Sequence, residues 1–373
     1  MRYLQVLIAQ DLKKKMVFLG GPRQCGKTTL AQSLLVGQKG AYFNWDDDVH
    51  RRQLLERQWS SDAALVVFDE LHKFPRWKNW IKGIYDTSPR SVAFLVTGSA
   101  RLDVYRRGGD SLLGRYHYWR LHPFGLDEKP AKMSDEESLS RLLRVGGFPE
   151  AFLDGDERQA RRWRRERFDR VLKDDIRDLE AIKDIATLSL FVDSLRQRVG
   201  GLVVLANIAN DLHVAPATLK RWLASLERMY LLFTVLPLTK GVPRAIQKPP
   251  KVYFFDNADV VGDEGARFEN CVATHLLKYC HFLEDRDGYK YELRYIRDKE
   301  GREVDFVILK DSVVTELYEC KWSELQFDPA LKYYAERLKP RRAIQIVGTT
   351  RSVFKQGILE RHGPFFLKRN TLI

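Results

Sequence analysis

Cysteine is scarce in this chain. Cys25, Cys271, Cys280 and Cys320 are the four among 373 residues, and none are paired at close spacing. A disulfide-stapled scaffold is therefore excluded, and a reducing compartment fits. Cys271 and His275 fall four apart on an expected helix, with Cys280 and His281 just beyond, so a metal site can be drawn there. A structural zinc ion usually brings tighter Cys-x-x-Cys pairs, and half-buried helix residues are the plainer reading. Long apolar runs are missing too: none approaches the ~18–20 residues of a membrane span, and Met1-Arg2-Tyr3-Leu4 does not have the form of a secretory signal. The expectation is a cytoplasmic protein with no membrane partner. Acidic residues are outnumbered, 50 against 63 Lys and Arg, for a net charge of +13. Such a surplus either keeps a protein soluble or gains affinity for a polyanion by releasing counter-ions from phosphates.

What is present is a soluble globular composition, 44% hydrophobic and 30% charged, long enough for two or three domains. The most informative stretch is the apolar run Met16-Val17-Phe18-Leu19 followed by Gly21-Pro22-Arg23-Gln24-Cys25-Gly26-Lys27-Thr28-Thr29. This has the spacing of a Walker A loop. A phosphate needs backbone N–H groups curled around it with no side chain in the way, which Gly21 and Gly26 permit. Lys27 then neutralises the β- and γ-phosphates, and Thr28 offers its hydroxyl to Mg²⁺. Leu30, Ala31, Leu34 and Leu35 continue as one apolar helical face, so the loop joins a strand to a helix, as the motif requires.

Leu65-Val66-Val67-Phe68-Asp69-Glu70 has the form of a Walker B strand. Asp69 would hold the Mg²⁺ hydration shell and Glu70 would polarise the attacking water, which favours hydrolysis over mere binding. Further apolar strands are expected at 41–45, 91–96 and 116–121, alternating with helices, which argues for a parallel sheet between helical layers. Ligands collect at the carboxyl ends of such strands, where the loop, Asp69, Glu70 and Thr97-Gly98-Ser99 all fall. Thr97 or Ser99 is then placed to sense the γ-phosphate.

Downstream, a polar connection is followed by Gly146-Gly147-Phe148-Pro149-Glu150 and a long basic helix that includes Arg158, Arg161, Arg162, Arg164, Arg165, Arg167, Arg170, Lys173 and Arg177. Acids interleave with these, so the helix reads equally as a phosphate contact, through Arg161 and Arg165, or as a self-paired solvated face. Residues 204–213 and Pro216–Tyr230 follow as helix, tight turn and helix. Leu219, Leu223, Leu226 and Tyr230 point to a core, and Lys220 and Arg221 lie near the second helix's start. This is the shape of a helix-turn-helix, with strands at 232–236 and 251–255 as its wing; such modules bind DNA or other proteins.

The last third changes character. A helix carrying Glu269 precedes strands at 291–296, 303–309 and 314–321. Asp305 lies early on one strand, and Glu319 and Lys321 share a face of the next. Asp305 and Glu319 can coordinate a divalent metal against a scissile phosphate, Lys321 can orient water, and Glu269 can complete the site. The plainer alternative is a hairpin with a cross-strand ion pair.

Taken in order, these segments resemble a widespread family of bacterial and archaeal predicted ATPases, in which an AAA-type P-loop core is fused to a winged helix and a C-terminal nuclease-like domain. The resemblance rests on the Walker A residues with Leu30, on Phe68-Asp69-Glu70 followed by Pro75 and Trp77, and on Thr97-Gly98-Ser99, Leu113-Gly114-Arg115 and Gly146–Glu150. Further along it rests on Leu226-Glu227 ahead of Leu236-Pro237, on Tyr253-Phe254-Phe255-Asp256, and on Glu303-Val304-Asp305 with Glu319-Cys320-Lys321. Cys25 and Cys320 stand where a small aliphatic residue is more usual.

The resemblance implies an α/β protein with an AAA+-like core over 1–125, a helical connection over 126–185, a winged helix over 186–260 and a restriction-endonuclease-like, PD-(D/E)xK domain over 261–373. It also implies a homo-oligomer with Arg115 as an arginine finger acting in trans, and Glu269, Asp305, Glu319 and Lys321 at the four positions that the nuclease fold uses. The cofactors expected are ATP and Mg²⁺, with Mn²⁺ as an option at the nuclease-like site. The function expected is ATP-driven action on duplex or branched DNA, in repair, recombination or defence. The alternative is a signalling ATPase whose C-terminal domain docks a partner without cutting.

Overall fold

The computed structural model describes residues 2–98, 112–172, 184–239, 249–350 and 353–371. The chain forms two compact units, Met1–Pro123 and Phe124–Ile373. Ser99, Lys173 and Arg177, named above for phosphate contact, fall outside the described residues. Among the described residues no helix is long and apolar enough to cross a membrane.

The first unit is built on five parallel strands: β1 (Met16–Gly20), β2 (Gly40–Asn44), β3 (Leu65–Asp69), β4 (Ala93–Thr97) and β5 (Tyr116–Arg120), in the order β2-β3-β4-β1-β5. Every residue of β1 and β3 is buried, which explains why these segments read as continuous apolar runs rather than alternating ones. Phe18, Phe43, Phe68, Phe94 and Trp77 pack into one core cluster; each such ring contributes roughly 1.5–3 kcal/mol by leaving water. Because all five strands run the same way, the turns that follow β1, β3 and β4 emerge at one edge, and the glycine loop 21–28, Asp69–Glu70 and Thr97–Gly98 gather there.

The second unit begins with helices Asp135–Arg144, Pro149–Asp154 and Glu157–Arg170, and continues through Ile185–Arg196, Leu205–Asp211 and Pro216–Arg228. The last two form the helix-turn-helix pair, with Leu219, Leu223, Leu226 and Tyr230 buried and Lys220 and Arg221 exposed. The basic helix divides its charges. Arg161 and Arg165 face solvent, whereas Arg167 is buried with its guanidinium 3.8 Å from the Phe148 ring centroid. Arg164 lies 3.6 Å from the buried Asp256 carboxylate. Neither reading of this helix, phosphate contact or solvated face, covers Arg164 and Arg167, because packing claims that part of the charge.

Strands β6 (Leu232–Pro237) and β7 (Lys251–Phe254) pair antiparallel, as a wing would. They do not end there. Leu236 and Pro237 of β6 also pair in parallel with β8 (Tyr291–Arg297), and β9 (Glu303–Lys310), β10 (Val313–Lys321), β11 (Arg342–Val347), β12 (Phe354–Gln356) and β13 (Leu359–His362) complete an eight-stranded mixed sheet. The expected break at 260/261 thus does not separate two sheets, because β6 and β7, expected as a wing, are the edge of the C-terminal one. Across this second unit runs the 24-residue helix Glu264–Asp287, capped by the Asp263 carboxylate accepting from Ala266 N–H and stopped at Gly288, whose φ is 77°.

Candidate functional site

Two side-chain constellations stand out, one in each unit. In the first, Gly21 (φ 141°) and Gly26 (φ 94°) hold backbone conformations that favour glycine, and a Cβ at Gly21 would collide with the Leu121 carbonyl. Gln24 bears the same left-handed conformation (φ 61°) with a side chain, and Cys25 is buried with Sγ 3.5 Å from the Leu121 carbonyl oxygen. The loop runs into helix Lys27–Leu35, whose first N–H groups are open to an anion. The ammonium of Lys27 is folded into the loop, donating to the carbonyls of Gly21 (3.0 Å) and Pro22 (2.6 Å). Both partners are neutral, so the positive charge is solvated but not cancelled.

Asp69 closes the site from the end of β3. Its Oδ2 accepts from Thr28 Oγ1 (2.7 Å) and from the Tyr42 hydroxyl (2.6 Å), and its Oδ1 accepts from Thr97 Oγ1. Tyr42 was not singled out in the sequence. It sits on β2, whose register Asn44↔Asp69 places Tyr42 two residues back on the same face, so strand pairing was the signal that could have found it. Burial and the Asp69 carboxylate push the Tyr42 hydroxyl well above its ordinary pKa, keeping it a donor. Thr97 is fully buried, and its hydroxyl is committed to Asp69; its expected role as a γ-phosphate sensor is corrected to that of a support for the carboxylate.

Glu70 adopts φ 55°, a strained conformation for a side chain other than glycine's, and turns its Oε2 toward Lys73 Nζ (3.4 Å) and His72 Nε2 (3.7 Å). Arg115 immediately precedes β5, at the sheet edge opposite the loop, since Tyr116 pairs with Met16. It is bound to Asp86 of its own chain through Nε (2.8 Å) and Nη2 (3.1 Å). Any action in trans would first have to open that pair. Thr28 and Asp69 fit Mg²⁺: both present hard oxygen donors to one point beside the loop, as P-loop enzymes require.

The second constellation gathers the four residues expected there. Asp305 on β9 and Glu319 on β10 are cross-linked through the main chain: Asp305 N–H donates to Glu319 Oε2 (3.3 Å), and Cys320 N–H donates to Asp305 Oδ2 (3.0 Å). Lys321 pairs with Glu319 Oε1 (3.0 Å) and Asp328 Oδ2 (2.9 Å), and Glu269 arrives from the long helix. What sequence reasoning missed is Lys251. This first residue of β7 inserts its ammonium among Glu303 Oε1 (2.6 Å), Asp305 Oδ1 (3.1 Å) and Glu269 Oε1 (3.5 Å). Tyr253, two residues on, donates its hydroxyl to Glu269 Oε1 (2.7 Å). Burial first, and the Asp305 charge second, raise the Glu269 carboxyl to about 7 and the Glu319 carboxyl to about 9. Lys251 is raised despite its burial, because Asp305, Glu269 and Glu303 outweigh the desolvation.

A divalent ion does not fit this arrangement. The ammonium of Lys251 already lies against Asp305 Oδ1 and Glu269 Oε1, and that of Lys321 against Glu319 Oε1, so an incoming cation would meet resident cations here, whereas the partners of Asp69 are neutral hydroxyls. Among the described residues no group of three or more His, Cys, Asp or Glu side chains is arranged to hold a metal. The expected metal-binding role of Asp305 and Glu319 is corrected on this ground. The Cys271–His275 pair is structural as well: His275 Nδ1 bonds the Cys271 carbonyl (2.7 Å), and Nε2 accepts from Leu126 N–H (3.1 Å).

Comparison with known proteins places a match on the first unit. Residues 13–129 match a family model described as an AAA domain, and two models described as domains of unknown function, DUF8612 and DUF4143, match residues 136–259 and 264–360. An uncharacterized protein of Mycobacterium tuberculosis is 26% identical over 245 residues, 65% of this chain and 54% of the relative, so the chain spans about half the length of that relative. An uncharacterized protein of Methanocaldococcus jannaschii is 23% identical over 401 residues, covering 90% of this chain and 81% of its own. Among solved structures, a Walker-type ATPase of Pyrococcus abyssi aligns with TM-score 0.43 and 15% identity over 68% of this chain and 93% of that one. A RuvB variant of Thermotoga maritima aligns with TM-score 0.32 and 16% identity over 65% and 92%. The matched AAA segment coincides with the parallel sheet, the glycine loop and the Asp69 network described above, so this part of the chain is similar to an AAA domain in both sequence and the placement of its loop.

Proposed function

We propose that the protein is an ATP-hydrolysing switch or motor that acts on DNA, with Lys27 and Thr28 holding the triphosphate, Asp69 the magnesium-side network and Glu70 the attacking water. The observation that carries the reading is the convergence of Lys27, Thr28 and Asp69 at one sheet edge, with Glu70 directly following Asp69. Mg²⁺ held by Thr28 and Asp69 would supply charge neutralisation at the phosphates. The chain's own residues do the rest. The loop N–H groups and Lys27 bind the phosphates, with phosphate oxygens taking over from the Gly21 and Pro22 carbonyls. Tyr42 and Thr97 orient Asp69, and Glu70 accepts a hydrogen bond from the nucleophilic water.

DNA is proposed as the target on charge and placement: the net +13, the exposed Lys220 and Arg221 early on the second helix of the helix-turn-helix pair, and the exposed Arg161 and Arg165. Lys251, ion-paired within the C-terminal carboxylates, favours a unit that grips or docks over one that cuts. The test is phosphate release with and without duplex or forked DNA. Glu70→Gln should bind ATP and fail to turn it over, and Lys220→Ala with Arg221→Ala should leave basal turnover intact while removing its stimulation by DNA. Unchanged turnover in Glu70→Gln would remove Glu70 as the group that holds the water, and absence of turnover in wild type would defeat the ATPase reading; stimulation that survives the double substitution would defeat the DNA surface.

A further inference from the structure

The C-terminal cluster is assembled from the long helix, the β9–β10 hairpin and β7, and β7 contributes only donors. Its Lys251 and Tyr253, two positions apart and so on the same face, both aim at carboxylate oxygens that a cation would otherwise take. The Lys251 side chain is 2% exposed, and its backbone is fixed on both sides, paired with Val235 of β6 and bridged to Leu202. Gly200, at φ 76°, packs closely on the Glu269 carboxylate: a Cβ there would lie 2.7 Å from Oε2. An arriving divalent ion would have to expel a buried ammonium already paired to three carboxylates, and breaking such a pairing is strongly unfavourable.

We infer that Lys251 is the resident cation of this cluster, so that the C-terminal unit keeps a nuclease-like set of carboxylates in a metal-free, non-cutting form, and that loss of this one ammonium opens a divalent-cation site. A lysine on β7 thus occupies the role that an ion from solution would otherwise fill. The charge it supplies is permanent and does not depend on the metal content of the surroundings. This inference stands apart from the ATPase reading, because it concerns residues of the other unit.

The test uses full-length, nucleotide-free protein and Mn²⁺ followed by electron paramagnetic resonance and by thermal melting. Wild type is expected to show no Asp305-dependent Mn²⁺ binding below ~100 μM, whereas Lys251→Met gains one ion per chain, bound at least about tenfold more tightly and lost again when Asp305→Asn is added. Mn²⁺ should raise the melting temperature of Lys251→Met and leave that of wild type unchanged. Two results overturn the inference: Mn²⁺ bound by wild type and removed by Asp305→Asn, or a folded Lys251→Met that gains no ion. Should Lys251→Met lose its cooperative transition, the wild-type measurement decides alone, since Asp305-dependent binding refutes the inference and its absence upholds it.

Discussion

Each unit is organised around a buried lysine, and the two lysines are held in opposite ways. Lys27 lies in a glycine-bounded loop against two neutral carbonyls, beside a helix start that favours negative charge. Lys251 lies against three carboxylates on a strand. The first leaves its charge uncancelled and therefore available to an incoming anion; the second has spent its charge inside the fold. The residue type alone does not separate a binding site from a structural counter-ion, but the partners do.

That contrast can be broken by experiment, and the largest effect should come from Lys251. Removing it strands Glu269, Glu303 and Asp305 together, and Lys251→Met should cost about 3–5 kcal/mol of stability at pH 8, read by chemical denaturation. Melting close to wild type would mean that the three carboxylates do not need their ammonium. Next in size, Lys27→Ala should lower ATP turnover by about a hundredfold or more and abolish the stabilisation that ATP gives, while moving the unliganded melting temperature little. A large loss of stability without nucleotide would make Lys27 a second structural cation and erase the difference.

The smallest effect sharpens the comparison through pH. The Glu269 carboxyl is raised from 4.5 to about 7 by folding, burial acting first and Asp305 second. A carboxyl whose pKa rises on folding favours the fold while it stays protonated in both states, below about pH 4.5, and that contribution is lost as pH climbs through 7. Wild type should therefore lose roughly 2–3 kcal/mol between pH 5 and 8 from this group, and Glu269→Gln, which keeps an acceptor for Tyr253, should flatten that slope. Equal slopes would place the titration elsewhere.

The nucleotide site was legible in the sequence because its parts are local. Gly21, Gly26, Lys27 and Thr28 lie within one turn, and Asp69 and Glu70 end a strand that announces itself by continuous apolarity. Tyr42 and the true partner of Thr97 were not legible, since both depend on the lateral order β2-β3-β4. The second constellation was half legible. Alternation along β10 put Glu319 and Lys321 on one face, but Lys251 reaches Asp305 across 54 residues of chain, from a strand whose apolar pattern suggested a wing. The inward turn of Arg164 and Arg167 was hidden for a related reason, because Asp256 and Phe148 are distant in sequence.

The shared edge of β6 has a mechanical meaning. The strand leaves helix Pro216–Arg228 after a few residues and is then stitched on one flank to β7 and on the other to β8. A displacement of that helix would therefore pass straight into the strand that pairs with Lys251, with only Met229, Tyr230 and Leu231 between helix and strand. Under the DNA reading proposed above, a polymer held by this helix pair would be held on behalf of the whole eight-stranded plate.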